Sequence, residues 1–268
     1  MDRTLYQLAR EHLCQVPFHR ALVRSVEAAM LRPLALEQPV LDAGCGDGIF
    51  ATLALPGEVA FGVDVDWPAL REARDRGVYR LVLQAGLEAL PLRRGRLGAV
   101  VCNSVIEHVP AFHQALAAMA AALRAGGVLV LTTPTPDFAG MLATPRLLAA
   151  CGLHRLAEAY GRWFNRLSRH HNFLSPAQWE AKLQDLGLEV LDRRRYFDEL
   201  GMAVFELAHF LEAFRLLLKR LCGRWVLFPG WARYSPLVAL KAKLIVALGS
   251  RTPRKRAGYL FLLARKKA

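Results

Sequence analysis

The chain has 268 residues, of which 54% are hydrophobic and 22% are charged. This composition excludes a disordered or low-complexity protein, and the length allows one elaborated domain or two small ones. Lysine and arginine number 36 against 23 for aspartate and glutamate, and the net charge of +13 predicts attraction to anions such as nucleic acid, anionic lipid or a phosphorylated substrate.

The five cysteines are widely spaced and form no CxxC pair, so neither a disulfide framework nor a metal site is predicted. The N-terminal residues carry charges throughout and lack the apolar core of a secretion signal. Because no run of about 18 uncharged apolar residues occurs, no membrane-spanning helix is expected. These features favour a cytoplasmic setting.

Residues 1–37 are predicted to form one or two N-terminal helices, with Pro17 between two apolar runs of helical spacing. Short apolar strands then alternate with helices, which favours an α/β fold with a doubly wound parallel sheet covered on both faces. We predict strands at 39–43, 59–65, 79–84, 97–102, 128–133, 188–191 and 258–264. We predict helices at 68–76, 111–123 and 176–186, with Gly126-Gly127 ending the second of them.

The strongest motif is the glycine turn over residues 40–48, VLDAGCGDG, where a strand runs into closely spaced glycines and then a helix. Asp64, at the end of the next strand, is placed to accept hydrogen bonds from both hydroxyls of a ribose. Together they predict an adenosine-containing cofactor at the carboxyl ends of the strands. A nicotinamide site is disfavoured, because Ile49 occupies a position that requires Gly or Ala and Asp47 adds negative charge where a pyrophosphate would bind.

Five segments in this order and spacing resemble class I S-adenosylmethionine-dependent methyltransferases of the small-molecule type. They are VLDAGCGDG at 40–48, FGVDVD at 61–66, LEALPL at 87–92, VVCNSVIEHV at 100–109 and LRAGGVLVLTTP at 123–134. The resemblance covers residues 38–136, and more loosely 172–197 and 258–267. It implies a Rossmann-like, doubly wound, mostly parallel sheet of seven strands with helical insertions, and S-adenosylmethionine as the cofactor.

The resemblance also implies a cofactor-binding set. Its members are Asp42, Gly44, Cys45, Gly46, Asp64, Val65, Gly86, Leu87 and Asn103. Among them Gly44, Cys45 and Gly46 approach the methionine part, Asp64 holds the ribose, Val65 and Leu87 flank the adenine, and Asn103 lies beside the transferable methyl group. Gly86 departs from the pattern, because many relatives have an aspartate there that reads the adenine amino group. Adenine recognition is therefore expected to rest on backbone groups.

Candidate groups for catalysis follow the fourth and fifth strands. Glu107 and His108 come after the fourth strand. Because an imidazole titrates near neutrality, His108 is a catalytic candidate; the alternative is a purely supporting role in its loop. Of the neighbouring His170 and His171, we list His171 as a second candidate; the alternative is a solvated loop histidine. Asp137 follows the fifth strand, where it could act as a base or orient substrate.

Two segments exceed the minimal fold. Residues 137–172 are expected to form a helical lid, and residues 198–257 an apolar and basic helical insertion. In the second segment, Glu206, His209, Glu212 and Arg215 form a narrow polar stripe beside a wide apolar face. Aromatic, lysine and arginine side chains around apolar helices suit an anionic membrane surface. The alternative is a helical hairpin packed on the domain or on a second copy in a homodimer.

The sequence thus predicts a single methyltransferase domain over residues 1–268, which methylates a small-molecule or lipid-like acceptor. Oxygen is weakly favoured as the acceptor atom, and the location is cytoplasmic or peripheral on the inner membrane face. Nucleic-acid binding is not expected, because the basic residues alternate with long apolar runs. Two alternatives remain open: an RNA or protein methyltransferase, and a catalytically inactive partner subunit.

Overall fold

The computed structural model describes residues 2–267 and contains one seven-stranded sheet with the order β3-β2-β1-β4-β5-β7-β6. The strands are β1 Val40–Ala43, β2 Val59–Asp64, β3 Tyr79–Gln84, β4 Leu97–Asn103, β5 Leu123–Pro134, β6 Leu188–Tyr196 and β7 Tyr259–Lys266. The β1–β2, β2–β3, β1–β4 and β4–β5 pairs are parallel, and β5–β7 is antiparallel. The prediction of a Rossmann-like, doubly wound, mostly parallel sheet is confirmed.

Twelve α-helices accompany the sheet in the described residues. They are α1 Arg3–Leu13, α2 Phe18–Leu31, α3 Ile49–Ala54, α4 Trp67–Asp75, α5 Phe112–Ala122, α6 Ala143–Ala150, α7 His154–Leu167, α8 Pro176–Asp185, α9 Glu199–Leu211, α10 Phe214–Cys222, α11 Pro229–Ala232 and α12 Pro236–Gly249. The first two lie on either side of Pro17, as the apolar pattern predicts. None of the helices within residues 2–267 has the length and apolar character needed to cross a bilayer.

The chain divides into two compact units. The helical unit holds the residues up to Arg32, Asp137–Gly161 and Tyr196–Gly258. The sheet unit holds Pro33–Pro136, Arg162–Arg195 and the residues from Tyr259 onward. The assignment of the whole chain to a single domain with two helical insertions remains a prediction.

The core of the sheet unit forms where strands are covered on both faces. Every residue of β1 and β4 is buried, as expected for central parallel strands. Helix α5 contributes Leu116 and Met119 to this core, and α8 contributes Trp179 and Leu183. This packing fixes the carboxyl ends of β1 and β4, between which the order of the sheet reverses. In open α/β sheets ligands bind at such a reversal.

The predicted end of the helix before β5 is wrong. Helix α5 ends at Ala122 and β5 begins at Leu123, so Gly126-Gly127 does not end the helix. Leu123 pairs with Leu97, whereas the next pair in the ladder joins Val128 to Ala99. Pairing with β4 therefore takes the chain into the sheet before the glycines, and residues 124–127 bulge out of the ladder.

Candidate functional site

The glycine turn lies at the carboxyl end of β1 and connects it to α3. Gly44 has φ +81°, and a Cβ there would lie 2.5 Å from a methyl group of Val105, so conformation and space both require glycine. Gly46 also has a positive φ, but a Cβ there would meet no atom within 4 Å. The turn is therefore packed on one side at Gly44 and open at Gly46, where a ligand can approach the backbone.

Asp64 joins this turn to β2. One carboxylate oxygen accepts a 2.8 Å hydrogen bond from the Gly46 N–H, and the other accepts a 2.9 Å bond from the Asp66 N–H. Each carboxylate oxygen has two acceptor sites, so Asp64 keeps capacity for the two hydroxyls of a ribose. The arrangement fits an adenosine-containing ligand whose sugar lies beside the open part of the turn.

Asp42 and Cys45 support the turn from within the core. Asp42 is buried and accepts a 2.7 Å hydrogen bond from the Tyr79 hydroxyl. Burial, followed by the negative charge of Asp42, raises the pKa of Tyr79, so the phenol stays protonated. Burial and the nearby Asp42 and Asp64 carboxylates raise the pKa of the buried Cys45 thiol as well. Cys45 is therefore a neutral packing group rather than a thiolate nucleophile.

The loops after β2 and β3 lie side by side. The Ala85 N–H donates to the Asp64 carbonyl at 3.1 Å, and the Gln84 side-chain amide donates to the Val65 carbonyl at 3.0 Å. Val65 is 67% exposed, whereas Leu87 is buried. An exposed apolar side chain at a strand end could pack against a planar ring; the place of the adenine beside Val65 and Leu87 remains a prediction.

Asn103 ends β4 and is nearly buried. Its side-chain oxygen accepts a 2.9 Å hydrogen bond from the Thr132 hydroxyl of β5, and the same hydroxyl accepts a 2.8 Å bond from the Ser104 N–H. Ser104 has φ +50°, a conformation that non-glycine residues rarely adopt. The polar groups at the ends of β4 and β5 are thus held in one fixed arrangement.

His108 lies beside Glu107 and His170. Its Nδ1 is 3.0 Å from the Arg169 carbonyl, which only accepts, so Nδ1 carries the proton. In the neutral ring the lone pair is then on Nε2, 3.9 Å from Glu107 Oε1. The His170 ring lies 5.2 Å from the His108 ring, and burial, with the charges of His108 and His171, lowers the pKa of His170 to about 3.

The cluster of Glu107, His108 and His170 was not predicted as a unit. Its carboxylate and imidazole donor atoms lie within 4.8 Å of one another, and these donor types are those of divalent transition-metal sites. The segment after α7 holds it together, because Asn172 donates to the carbonyls of Ile106 at 2.9 Å and Val109 at 2.7 Å. The sequence signals that could have indicated this contact are the motifs EHV at 107–109 and HHN at 170–172.

The other two catalytic candidates are arranged differently. His171 donates its backbone N–H to the Glu107 carbonyl at 2.7 Å, and its side chain is exposed, so His170 rather than His171 packs on the His108 ring. Asp137 belongs to the helical unit, where it forms a 2.8 Å ion pair with Arg256. Catalytic roles for His108, His171 and Asp137 remain predictions, as does the cofactor-binding set.

In the helical unit, the polar stripe of α9 faces inward. Glu206 is buried and accepts hydrogen bonds from the Tyr160 hydroxyl and from the Thr144 N–H at 3.1 Å. Glu212 is buried too and forms an ion pair with Lys241. Met202, Phe205 and Ala208 of the same helix are buried as well, whereas Leu207, Phe210 and Leu211 are exposed. The helix therefore buries polar and apolar side chains together and also exposes large apolar side chains, unlike a surface helix whose exposed face is polar.

Helices α10 and α11 also expose large apolar side chains. Neither helix contains a buried residue. Trp231 and Tyr234 are 83% and 86% exposed. The further large apolar side chains exposed between α9 and α12 are Phe214, Leu216, Leu217, Leu221, Leu227, Phe228, Leu237, Leu240 and Leu244. We call the exposed apolar side chains of residues 207–244 the apolar surface. So many large apolar side chains in solvent are unusual for a chain that functions alone.

The sheet order, the glycine turn and the carboxylate at the end of β2 define a Rossmann-like α/β protein. A family model for the methyltransferase domain matches residues 15–193, well over half of the chain. The chain therefore belongs to the methyltransferase-domain family.

Similar proteins agree with this family. An uncharacterised methyltransferase of Mycobacterium bovis is 33% identical over 130 residues, 47% of this chain and 65% of that protein. A ubiquinone biosynthesis O-methyltransferase of Chromobacterium violaceum is 31% identical over 168 residues, 59% of this chain and 68% of that protein. The chain thus spans less than two thirds of the mycobacterial relative's length.

Solved structures share the fold. A SAM-dependent methyltransferase of Thermotoga maritima superposes with a TM-score of 0.56 over 93% of this chain and 91% of that one. The sequence identity is 16%, so this likeness concerns the fold alone.

Proposed function

We propose that the chain is an S-adenosylmethionine-dependent methyltransferase that acts on a small, lipid-like acceptor with a hydroxyl group. The observation that carries the proposal is the hydrogen bond from the Gly46 N–H to Asp64, which joins an open glycine turn to a carboxylate where the sheet order reverses. The similarity to a ubiquinone biosynthesis O-methyltransferase supports a small hydroxylated acceptor.

The residues present fit this cofactor. Asp64 would hold the ribose hydroxyls, Val65 and Leu87 would flank the adenine, and the backbone at Gly44 and Gly46 would approach the methionine part. When bound, S-adenosylmethionine would supply a sulfonium methyl group for transfer to the acceptor oxygen. The chain's own contribution is mainly to position the two reactants in line.

A hydroxyl acceptor must also lose its proton. His108 is suited to take it at Nε2, because the Arg169 carbonyl keeps the other ring nitrogen protonated. The Glu107 carboxylate, 3.9 Å away, would stabilise the resulting imidazolium. His170, whose pKa is lowered to about 3, stays neutral and adds no opposing charge.

Transfer of a radiolabelled methyl group from S-adenosylmethionine to a set of long-chain alkyl catechols tests this role. We expect label in the organic extract with the native chain. His108→Gln should lower kcat by about 10²- to 10⁴-fold without changing cofactor affinity. His113→Gln, at another exposed histidine of the sheet unit, is the control. Cofactor binding without any transfer would instead favour an inactive partner subunit.

The apolar surface supports a further part of the proposal, that the chain docks on an anionic membrane. A helix that buries Glu206 and Glu212 and exposes Leu207 and Phe210 suits a lipid interface, where exposed apolar side chains become buried. Charge favours the same partner, because no aspartate or glutamate follows Glu212, whereas lysines and arginines recur throughout that part of the chain. The inner face of the cell membrane is the proposed location.

The basic residues divide into two groups. Arg251 pairs with Asp198 at 2.6 Å and Arg256 pairs with Asp137 at 2.8 Å, so part of the charge in residues 251–256 is neutralised within the helical unit. Arg220 and Arg224, on and just after α10, are exposed. We expect Arg220 and Arg224 to contribute about 1 kcal/mol each to binding at an anionic surface.

Flotation with vesicles of phosphatidylcholine, with and without phosphatidylglycerol, tests the docking. The chain should float with the anionic vesicles, and less so as salt rises, because surface charges are screened beyond about 8–10 Å. Phe228→Ser with Trp231→Ser should reduce flotation, whereas Trp67→Ser, at an exposed tryptophan of the sheet unit, should not. Failure to float with either vesicle contradicts the docking. A stable dimer in solution would assign the apolar surface to a second copy.

A further inference from the structure

Glu88 lies folded back over Gly86 in the loop after β3. Gly86 precedes a single 3₁₀ turn, Leu87–Ala89. A Cβ on residue 86 would lie 2.6 Å from Cδ and 2.7 Å from Oε2 of Glu88. The carboxylate therefore occupies the space that a side chain at position 86 would need, and the glycine leaves room for it.

The Glu88 carboxylate belongs to a segment that runs beside the loop after β2. The Ala85 N–H bonds to the Asp64 carbonyl, so the segment that carries Gly86 and Glu88 runs beside Asp64 and Val65. A nucleoside with its ribose on Asp64 and its base on Val65 would turn one edge of the base toward this segment. This step rests on the cofactor placement under the proposed function.

The chemistry of Glu88 suits one kind of base edge. Its side chain is exposed, and within residues 2–267 the structure shows no hydrogen bond or ion pair to it. An ionised carboxylate only accepts hydrogen bonds. It would accept one from the exocyclic amino group of adenine and would repel the carbonyl oxygen that replaces this group in hypoxanthine.

We propose that Glu88 reads the adenine amino group of the cofactor, in the space left by Gly86. Glu88 is thus a specificity-determining residue for the cofactor. In this proposal a side chain reaching back from two residues downstream would recognise the adenine, where the sequence led us to expect backbone groups.

Isothermal titration with S-adenosylhomocysteine and S-inosylhomocysteine tests the inference without any turnover. The native chain should bind the adenosine form more tightly. Glu88→Ala should weaken that binding by roughly tenfold to a hundredfold, the range of a hydrogen bond to a charged group. It should not weaken binding of the inosine form, and should tighten it, because the repulsion of the hypoxanthine carbonyl is removed. Glu88→Gln should lower the preference as well, because its amide can donate to the hypoxanthine carbonyl.

Two further variants make the result decisive. Glu58→Ala, at an exposed glutamate next to the amino end of β2, should change neither affinity. Gly86→Asp combined with Glu88→Ala should restore the preference, because the new carboxylate enters the space that Glu88 leaves. An unchanged preference in Glu88→Ala overturns the inference alone. If the native chain binds neither compound, the cofactor placement fails with it.

Discussion

Tyr79 reaches from β3 across Gly62 of β2 and donates a 2.7 Å hydrogen bond to Asp42 of β1. A Cβ on residue 62 would lie 2.9 Å from the Tyr79 ring, so the glycine makes the crossing possible. Tyr79 and Asp42 are buried. The bond therefore ties the outermost strand to the strand that carries the glycine turn.

Tyr79→Phe should lower the free energy of unfolding by about 1–3 kcal/mol, because it removes a hydrogen-bond donor from a buried carboxylate. Urea denaturation measures the effect. Tyr234→Phe is the matched control, since Tyr234 is exposed, and it should change stability by no more than about 0.5 kcal/mol. Equal effects of the two substitutions would show that the bond does not stabilise the strand.

Gly44 and Gly57 allow the cost of a left-handed backbone conformation to be separated from the cost of a steric clash. Their φ angles are +81° and +82°, but a Cβ at Gly44 would overlap Val105, whereas one at Gly57 would meet no atom within 4 Å. Gly57→Ala should therefore cost about 1–2 kcal/mol, the left-handed penalty alone, and Gly44→Ala distinctly more. Val105→Ala should reduce the excess at Gly44. If Gly44→Ala lowers the free energy of unfolding no more than Gly57→Ala does, the overlap with Val105 does not destabilise the chain.

The partly buried His19 is held neutral in the folded chain, so we expect a loss of stability in mild acid. Burial, with the neighbouring charges of His209, Arg20 and Arg215, lowers the pKa of His19 to about 3. Its pKa in the unfolded chain is about 6.5, so between these values only the unfolded state takes up the proton. Stability contributed by neutral His19 is therefore complete above about pH 6.5 and is lost progressively as the pH falls towards 3.

His19→Gln should make this loss shallower between pH 6.5 and 4.5, by up to about 1.4 kcal/mol per pH unit. Urea titrations across that range measure the slope. His154→Gln, at an exposed histidine of the helical unit, should leave it unchanged. An identical slope in His19→Gln and the native chain would mean that His19 is protonated in the folded state.

The positions of the strands and of the glycine turn follow from local signals, which explains why they could be predicted. Continuous apolar strands, the glycine spacing and an acidic residue at the end of β2 each depend on neighbours in the chain. The end of α5 could not be predicted in this way, because it depends on the pairing of Leu123 with Leu97 in another strand.

The remaining features depend on contacts between distant residues. Periodicity shows that α9 has a polar stripe, but only the contacts of Glu206 with Tyr160 and Thr144 show that the stripe faces inward. Likewise, the approach of His170 to His108 depends on how Asn172 holds the turn at Ile106. The place of Glu88 over Gly86 is set by a side-chain conformation, which residue spacing does not encode.

Binding of S-adenosylmethionine by Asp64 and the glycine turn is tested most directly by titration of Asp64→Ala with S-adenosylhomocysteine. The substitution removes acceptors for the ribose hydroxyls, worth about 1.5–3 kcal/mol, so the dissociation constant should rise by about tenfold to a hundredfold while the chain stays folded. A folded Asp64→Ala chain with the native dissociation constant would contradict the placement of the ribose, and with it the proposed site.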